Sequence, residues 1–182
     1  MPVEQFNDEQ LMLKVKSGQL DSLAPLFEKY HVKLYNFFLR LTRNRDVSRD
    51  LTQNVFRRIL SYRETYDARW PFRTWMYQVA RNVHLKYCNE NKMVQSGFFD
   101  TEHLEQDSRS AIEEMDFESQ KSTLYEALKQ LTAEQREIIE LSRFQGLKYN
   151  EIAEITGNSV TAIKVKVHRA MHKLRELYFE LV

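Results

Sequence analysis

Between Ser159 and Arg175 the chain carries Lys164, Lys166, Arg169, Lys173 and Arg175, together with His168 and His172, and no Asp or Glu. Solvated helix faces usually mix charges of both signs, so a run of one sign points to a polyanion such as the phosphates of nucleic acid. The residues before the run sharpen that reading. Gly157-Asn158-Ser159 suits a tight turn with Ser159 as N-cap, following a short helix expected from about Tyr149 to Thr156. Upstream, Thr132 and Gln135 have the spacing of a capping box for a helix through Phe144, ended by Gly146. This is helix-turn-helix order, with Ile152, Ile155, Val160, Ile163, Val167 and Leu174 as its expected buried seam. A helix of this diameter fits the major groove, where base edges display a donor and acceptor code. Ser159, Thr161, Lys164, Lys166, His168, Arg169 and Lys173 are accordingly the candidate duplex-DNA contacts. His168 and His172 stand at i and i+4, a spacing that can bind zinc, but Arg169 occupies the place of the glutamate that a metalloprotease needs. No metal and no cofactor are expected.

A second constellation interleaves aromatic and basic side chains: Arg69, Trp70, Phe72, Arg73, Tyr77, Arg81, Asn82 and Lys86. Unstacked bases are captured on aromatic faces beside a basic groove, which makes this stretch a candidate for single-stranded nucleic acid. Trp75 and Val79 share a helical face and are assigned to the core. A third set, Asp50, Gln53, Asn54 and Arg57, falls at i, i+3, i+4 and i+7 and forms one polar stripe opposite Leu51, Val55 and Ile59. Such a stripe is either a solvent face or a docking face, and spacing alone leaves both open.

The elements that must carry these residues are helices. Four Gly and three Pro in 182 residues leave little turn punctuation and no hairpin signal. Leu34, Phe37, Phe38 and Leu41, and later Leu124, Leu128 and Leu131, recur at helical spacing. Asp8 is the expected cap of a first helix that ends at Gly18, with Asp21 or Ser22 starting the next. Further breaks are expected at Asn44 to Val47 and at Tyr66 to Pro71. Charge divides the chain: 16 Lys and Arg against 10 Asp and Glu in residues 1–92, 1 against 8 in 93–118, and 10 against 8 in 119–182. Two small all-α domains joined by an acidic linker are expected, the linker holding the apolar pair Phe98-Phe99. With Cys88 alone no disulfide framework can form, and a buried structural thiol in a reducing cytoplasm is the reading. The start MPVEQFNDEQ lacks a basic, then apolar leader, and no apolar run has membrane-spanning length, so no membrane insertion is expected. Signatures of enzymes are missing: there is no glycine-rich phosphate loop, no HExxH and no nucleophile paired with a base.

QLTAEQREIIEL and GLKYNEIAEITGNSVTAIKVKVHRAMHKLREL resemble the C-terminal region 4 domain of bacterial sigma factors of the extracytoplasmic-function group. Similar modules end many response regulators, so this half alone leaves a duplex-binding regulator open. LYNFFLRLTRN at 34–44, RDLTQNVFRRI at 49–59 and FRTWMYQVARN at 72–82 resemble the same group's N-terminal region 2 domain, in the same order. The resemblance implies a transcription initiation factor without enzymatic activity. It implies docking on the largest and second-largest subunits of core RNA polymerase, with Asp50, Gln53, Asn54 and Arg57 carrying the main contact, to a coiled coil of the largest subunit. Arg69 to Lys86 would take the melted minus-10 element, with a flipped base in the loop at 67–73, and the C-terminal helix would read the minus-35 element. An anti-sigma protein is the implied regulator. Asn54 stands where the family often has an acid, and Trp70-Pro71 where a Gly-Ser type pair is usual.

Overall fold

The structure is a computed structural model that describes residues 7–95 and 115–182; Phe98-Phe99 and most of the expected linker lie outside them. Among the described residues every regular element is helical. Helix α1 (Asp8–Lys16) is capped by Asn7, whose side chain accepts from the Gln10 N–H while Gln10 reaches back to the Asn7 N–H. Asp8, the expected cap, instead binds across to Lys29 at 2.8 Å and to the Tyr30 hydroxyl. Being one residue inside the helix, it is free to tie α1 to α2. A 3-10 turn (Leu20–Ser22) leads into α2 (Leu23–Thr42), which buries Leu34, Phe37, Phe38 and Leu41 as expected. Asn44 caps α3 (Arg45–Ser61) through the Val47 N–H, so the break is confined to Arg43 and Asn44 and Val47 is already helical. Helix α4 (Phe72–Gln95) completes the N-terminal bundle and packs against both α1 and α3.

The second half starts with α5 (Met115–Gln130), so helices reach into the expected linker from both sides. Thr132 and Gln135 form the expected capping box of α6 (Ala133–Ile139). The chain does not continue as α-helix to Phe144; it widens into a π-helical turn over Glu140–Phe144, and Gly146 follows at φ +62°. Arg136 fastens the preceding turn by donating to the carbonyls of Leu128, Lys129 and Leu131, which the end of α5 leaves open. Helices α7 (Tyr149–Thr156) and α8 (Val160–Leu181) follow, separated by Gly157 at φ +70°, a conformation that residues with a Cβ adopt only at a cost. Ile152, Ile155, Ile163, Val167 and Leu174 are buried as the seam, whereas Val160, the first residue of α8, is exposed. Cys88 is half-buried rather than buried, its Sγ 3.5 Å from His84 Nε2 one turn earlier. No helix of the described residues is long and apolar enough to cross a membrane.

Candidate nucleic-acid interface

Helix α8 begins at its cap, where Ser159 Oγ accepts from the Ala162 N–H at 3.1 Å, and is placed by packing against α5, α6 and α7. From there Thr161, Lys164, His168, Arg169 and Lys173 are exposed with Ser159, while Ile163, Val167 and Ala170 face the core. Lys166 is the exception. Its ammonium donates to Glu134 at 2.6 Å and to Asn158 Oδ1 at 3.1 Å, so an acid of α6 already neutralises it. Val165, 43% exposed among these bases, was missed by sequence reasoning because apolar residues were read as core; an exposed methyl group there suits contact with a thymine methyl.

The loop before α4 is built by long-range contacts. Tyr66 is buried, takes a hydrogen bond from Lys16 on its carbonyl at 2.7 Å and donates its hydroxyl to the Trp70 carbonyl at 3.1 Å. Asp67 accepts from the Arg69 N–H and side chain, and that side chain holds its carboxyl well below the usual range, at about 2. The loop presents Arg69 and Trp70, the latter 47% exposed. Phe72, a candidate base contact, is instead fully buried. Its N–H donates to Glu9 of α1 at 3.0 Å, and its ring lies against Tyr30, Tyr66 and Trp75 at 5.6, 6.2 and 6.3 Å between centroids. That seat leaves no face for a nucleobase.

The remaining candidates on α4 separate onto two faces. Asn82 and Lys86 are open to solvent, Lys86 lying 3.5 Å from Glu90. Arg73, Tyr77 and Arg81 face the second domain. Arg73 pairs with Glu151 of α7 at 3.2 Å, and the Thr74 hydroxyl donates to the same carboxylate at 3.0 Å. Arg81 Nε lies 3.1 Å from Glu137 of α6, an ionic contact whose N–H is not aimed at the oxygen. Tyr77 is buried, not available as a stacking surface as expected: its ring packs on Phe37 and its hydroxyl donates to Gln145. Burial pushes the Tyr77 hydroxyl well above the ordinary phenol range.

Beside them Arg40 of α2 binds Glu140 through two hydrogen bonds of 2.7 Å, and its guanidinium sits 4.5 Å from the Phe144 ring centre. Gln145 donates to the same carboxylate at 2.8 Å. Burial pushes the Glu137 and Glu140 carboxyls upward, opposed by Arg81 and Arg40. None of Arg40, Glu137, Glu140, Gln145 and Glu151 was a sequence candidate, since their partners lie far away in the chain. On α3, Asp50, Gln53 and Arg57 are exposed and Asn54 is half-exposed. Among the described residues no cluster of His, Cys, Asp and Glu could hold a metal ion.

A helical domain with an exposed polar stripe and a basic-aromatic loop, followed by a helix-turn-helix whose last helix exposes bases of one sign, defines the class of two-part, all-helical proteins of the helix-turn-helix kind. Comparison gives its family. Residues 26–93 match the family model "Sigma-70 region 2" and residues 121–174 match "Sigma-70, region 4". The RNA polymerase sigma factor CarQ of Myxococcus xanthus is 28% identical, over 93% of this chain and 97% of its own. The ECF RNA polymerase sigma factor SigX of Bacillus subtilis is also 28% identical, over 83% of this chain and 80% of its own. In fold the chain is similar to CnrH, solved with the cytosolic domain of CnrY (TM-score 0.71, 20% identity, 93% of this chain and 96% of that one). It is likewise similar to RpoE of Bartonella quintana, solved with the anti-sigma factor NepR (TM-score 0.67, 23% identity, 84% of this chain and 94% of that one). The chain belongs to the sigma-70 family, in its extracytoplasmic-function group. It is a transcription initiation factor, not an enzyme.

Proposed function

We propose a division of labour in promoter-directed initiation. Residues 1–92 form the domain that docks on core RNA polymerase through Asp50, Gln53, Asn54 and Arg57 and takes the melted minus-10 strand. Residues 93–118 are the acidic linker, and residues 119–182 read the minus-35 duplex. In the first domain Arg69 and Trp70 receive a flipped base and Asn82 and Lys86 follow the backbone, with Arg73, Tyr77 and Arg81 joining once they are uncovered. In the second, Ser159, Thr161, Lys164, Val165, His168, Arg169 and Lys173 face the major groove. The observation that carries this reading is the exposed face of α8, which presents bases of one sign from a well-capped first turn. Core binding falls on the largest and second-largest polymerase subunits, in the cytoplasm. Control by an anti-sigma protein is supported by the related folds of CnrH and RpoE, the latter solved with an anti-sigma factor.

Run-off transcription with purified core polymerase over a promoter library tests it. Initiation confined to templates that share two spaced elements is expected. Duplex DNA binding by the chain alone, with no promoter-specific transcript when core is added, would leave a regulator in place of a sigma factor.

A further inference from the structure

We infer that Val165 sets a base preference of the second domain by seating against the 5-methyl group of a thymine, so that the duplex it reads carries an A·T pair beneath that residue. This rests on the assignment of α8 to the minus-35 duplex. Thr161, Val165, His168 and His172 are exposed and stand at i, i+4, i+7 and i+11, one line along α8. The line runs opposite Ile163, Val167, Ala170 and Leu174, all buried, so it is the part of the helix that projects farthest from the core. It holds no Lys and no Arg. The bases stand on its two sides, Lys164 and Arg175 on one, Arg169 and Lys173 on the other, all four exposed. Lys166 does not crowd the line either, because its ammonium is turned to Glu134 and Asn158.

A ridge without Lys or Arg between two basic flanks matches the major groove, about 12 Å wide, whose floor is base edges and whose walls are phosphates. The flanks meet the walls, which are alike in every sequence, and the ridge meets the floor, where sequences differ. The ridge is short. Glu176 enters the same line one turn beyond His172, 3.3 Å from its Nδ1 and 3.5 Å from the Lys173 ammonium. An acid there repels phosphate, which leaves Thr161, Val165 and His168 as the reading surface. From Thr161 to His168 a helix rises about 10 Å at ~1.5 Å per residue, the length of about three base pairs. Val165 lies in the middle, 43% exposed, and is the only one of the three with no donor or acceptor. Isolated exposed apolar side chains are ordinary on protein surfaces; the place of this one, at the centre of the ridge, is what gives it a partner. In the major groove thymine alone presents an apolar group, its methyl. A cytosine beneath Val165 would offer a C–H in place of that methyl, and an amino group whose water is displaced without replacement.

The test uses the full chain as holoenzyme with core polymerase, on the promoter duplex that the run-off selection yields. Each thymine of the minus-35 element is replaced singly by deoxyuridine, which keeps the base pair and removes only the 5-methyl group. Competition at fixed salt reads the relative affinity of wild type and of Val165→Ala. Alanine is the better helix former and the position is exposed, so α8 is retained, as circular dichroism checks. One thymine is expected whose methyl is worth about fourfold to wild type, the value of one buried methyl-sized group, while the others matter by less than about twofold. Val165→Ala should lose about fourfold on the unmodified duplex and nothing further on that uracil duplex, the signature of a direct contact. Its salt slope should stay that of wild type, because no phosphate contact has gone. A selected element without an A·T pair overturns the inference. So do uracil costs that are the same in both proteins, and an overall loss of affinity in that case would make Val165 a contact to protein. Failure of the functional reading looks different: wild type gives no promoter-specific transcript at all, and the inference goes with it.

Discussion

Trp70 and Phe72 stand two positions apart and serve opposite ends. Phe72 is fully buried among Tyr30, Tyr66 and Trp75, whereas Trp70 is held at the surface by a loop that its own carbonyl helps to tie to Tyr66. Phe72→Ala should therefore lower stability by about 3–5 kcal/mol, as for other large-to-small core changes. Trp70→Ala should alter stability by less than about 0.5 kcal/mol. Its loss should appear in strand binding, at about 1–3 kcal/mol for one stacked base. Urea denaturation and oligonucleotide anisotropy on both variants check this pair. A stable Phe72→Ala protein with lost strand affinity would restore Phe72 to the interface. The sequence marked both residues as one aromatic cluster, and nothing local distinguishes them. What seats the Phe72 ring inward is packing against Tyr30, Tyr66 and Trp75, of which Tyr30 comes from α2, while Glu9 of α1 accepts its backbone N–H.

At the scale of an element, α8 was the most legible part of the chain and still held a misreading. Its N-cap, its start after Gly157 and its buried spacing all follow from short-range chemistry, which a sequence displays directly. The charge of Lys166 does not, because Glu134 comes from α6 and meets it only after folding. Each phosphate contact adds roughly one to the slope of log affinity against log salt. Lys164→Ala and Arg169→Ala should each reduce that slope by about one on minus-35 duplex. Lys166→Ala should reduce it by clearly less, since its ammonium is already engaged. Titrations of duplex binding at several salt concentrations, made on the second domain in the full chain, decide the order. A slope lost equally from all three variants would mean that Lys166 leaves Glu134 for DNA. The π-turn at Glu140–Phe144 was read as plain helix for a similar reason: it opens at Glu140, whose partner Arg40 lies outside the local pattern.

At the scale of the whole molecule, charge partition displayed two basic domains, but it could not show that three acids of the second would meet three arginines of the first. Long-range pairing leaves no periodic trace. The same junction gives the molecule a pH dependence whose sign can be worked out. His84 on α4 is held down from 6.5 to about 4, chiefly by burial and further by Arg136 and Arg81. Between those values the unfolded chain carries a proton on this imidazole that the folded chain does not, so stability rises with pH through the window and is lost as pH falls. Glu137 and Glu140 act in the opposite sense: burial raises their carboxyls, so the folded chain keeps their protons longer and gains relative stability on acidification. A melting curve of the wild type alone would sum these effects. Comparison with His84→Gln, which cannot titrate, isolates the imidazole. Each tenfold change in proton affinity is worth about 1.4 kcal/mol, and solvent reaching the partly exposed ring weakens the opposition to its charge. Wild type should therefore lose on the order of 2 kcal/mol relative to the variant between about pH 7 and about pH 4. Most of that loss should come below pH 6.5, the ordinary imidazole value. Stability profiles for the two proteins that stay parallel across the range would mean that His84 protonates without opposition, neither buried in solution as it is here nor faced by Arg136 and Arg81.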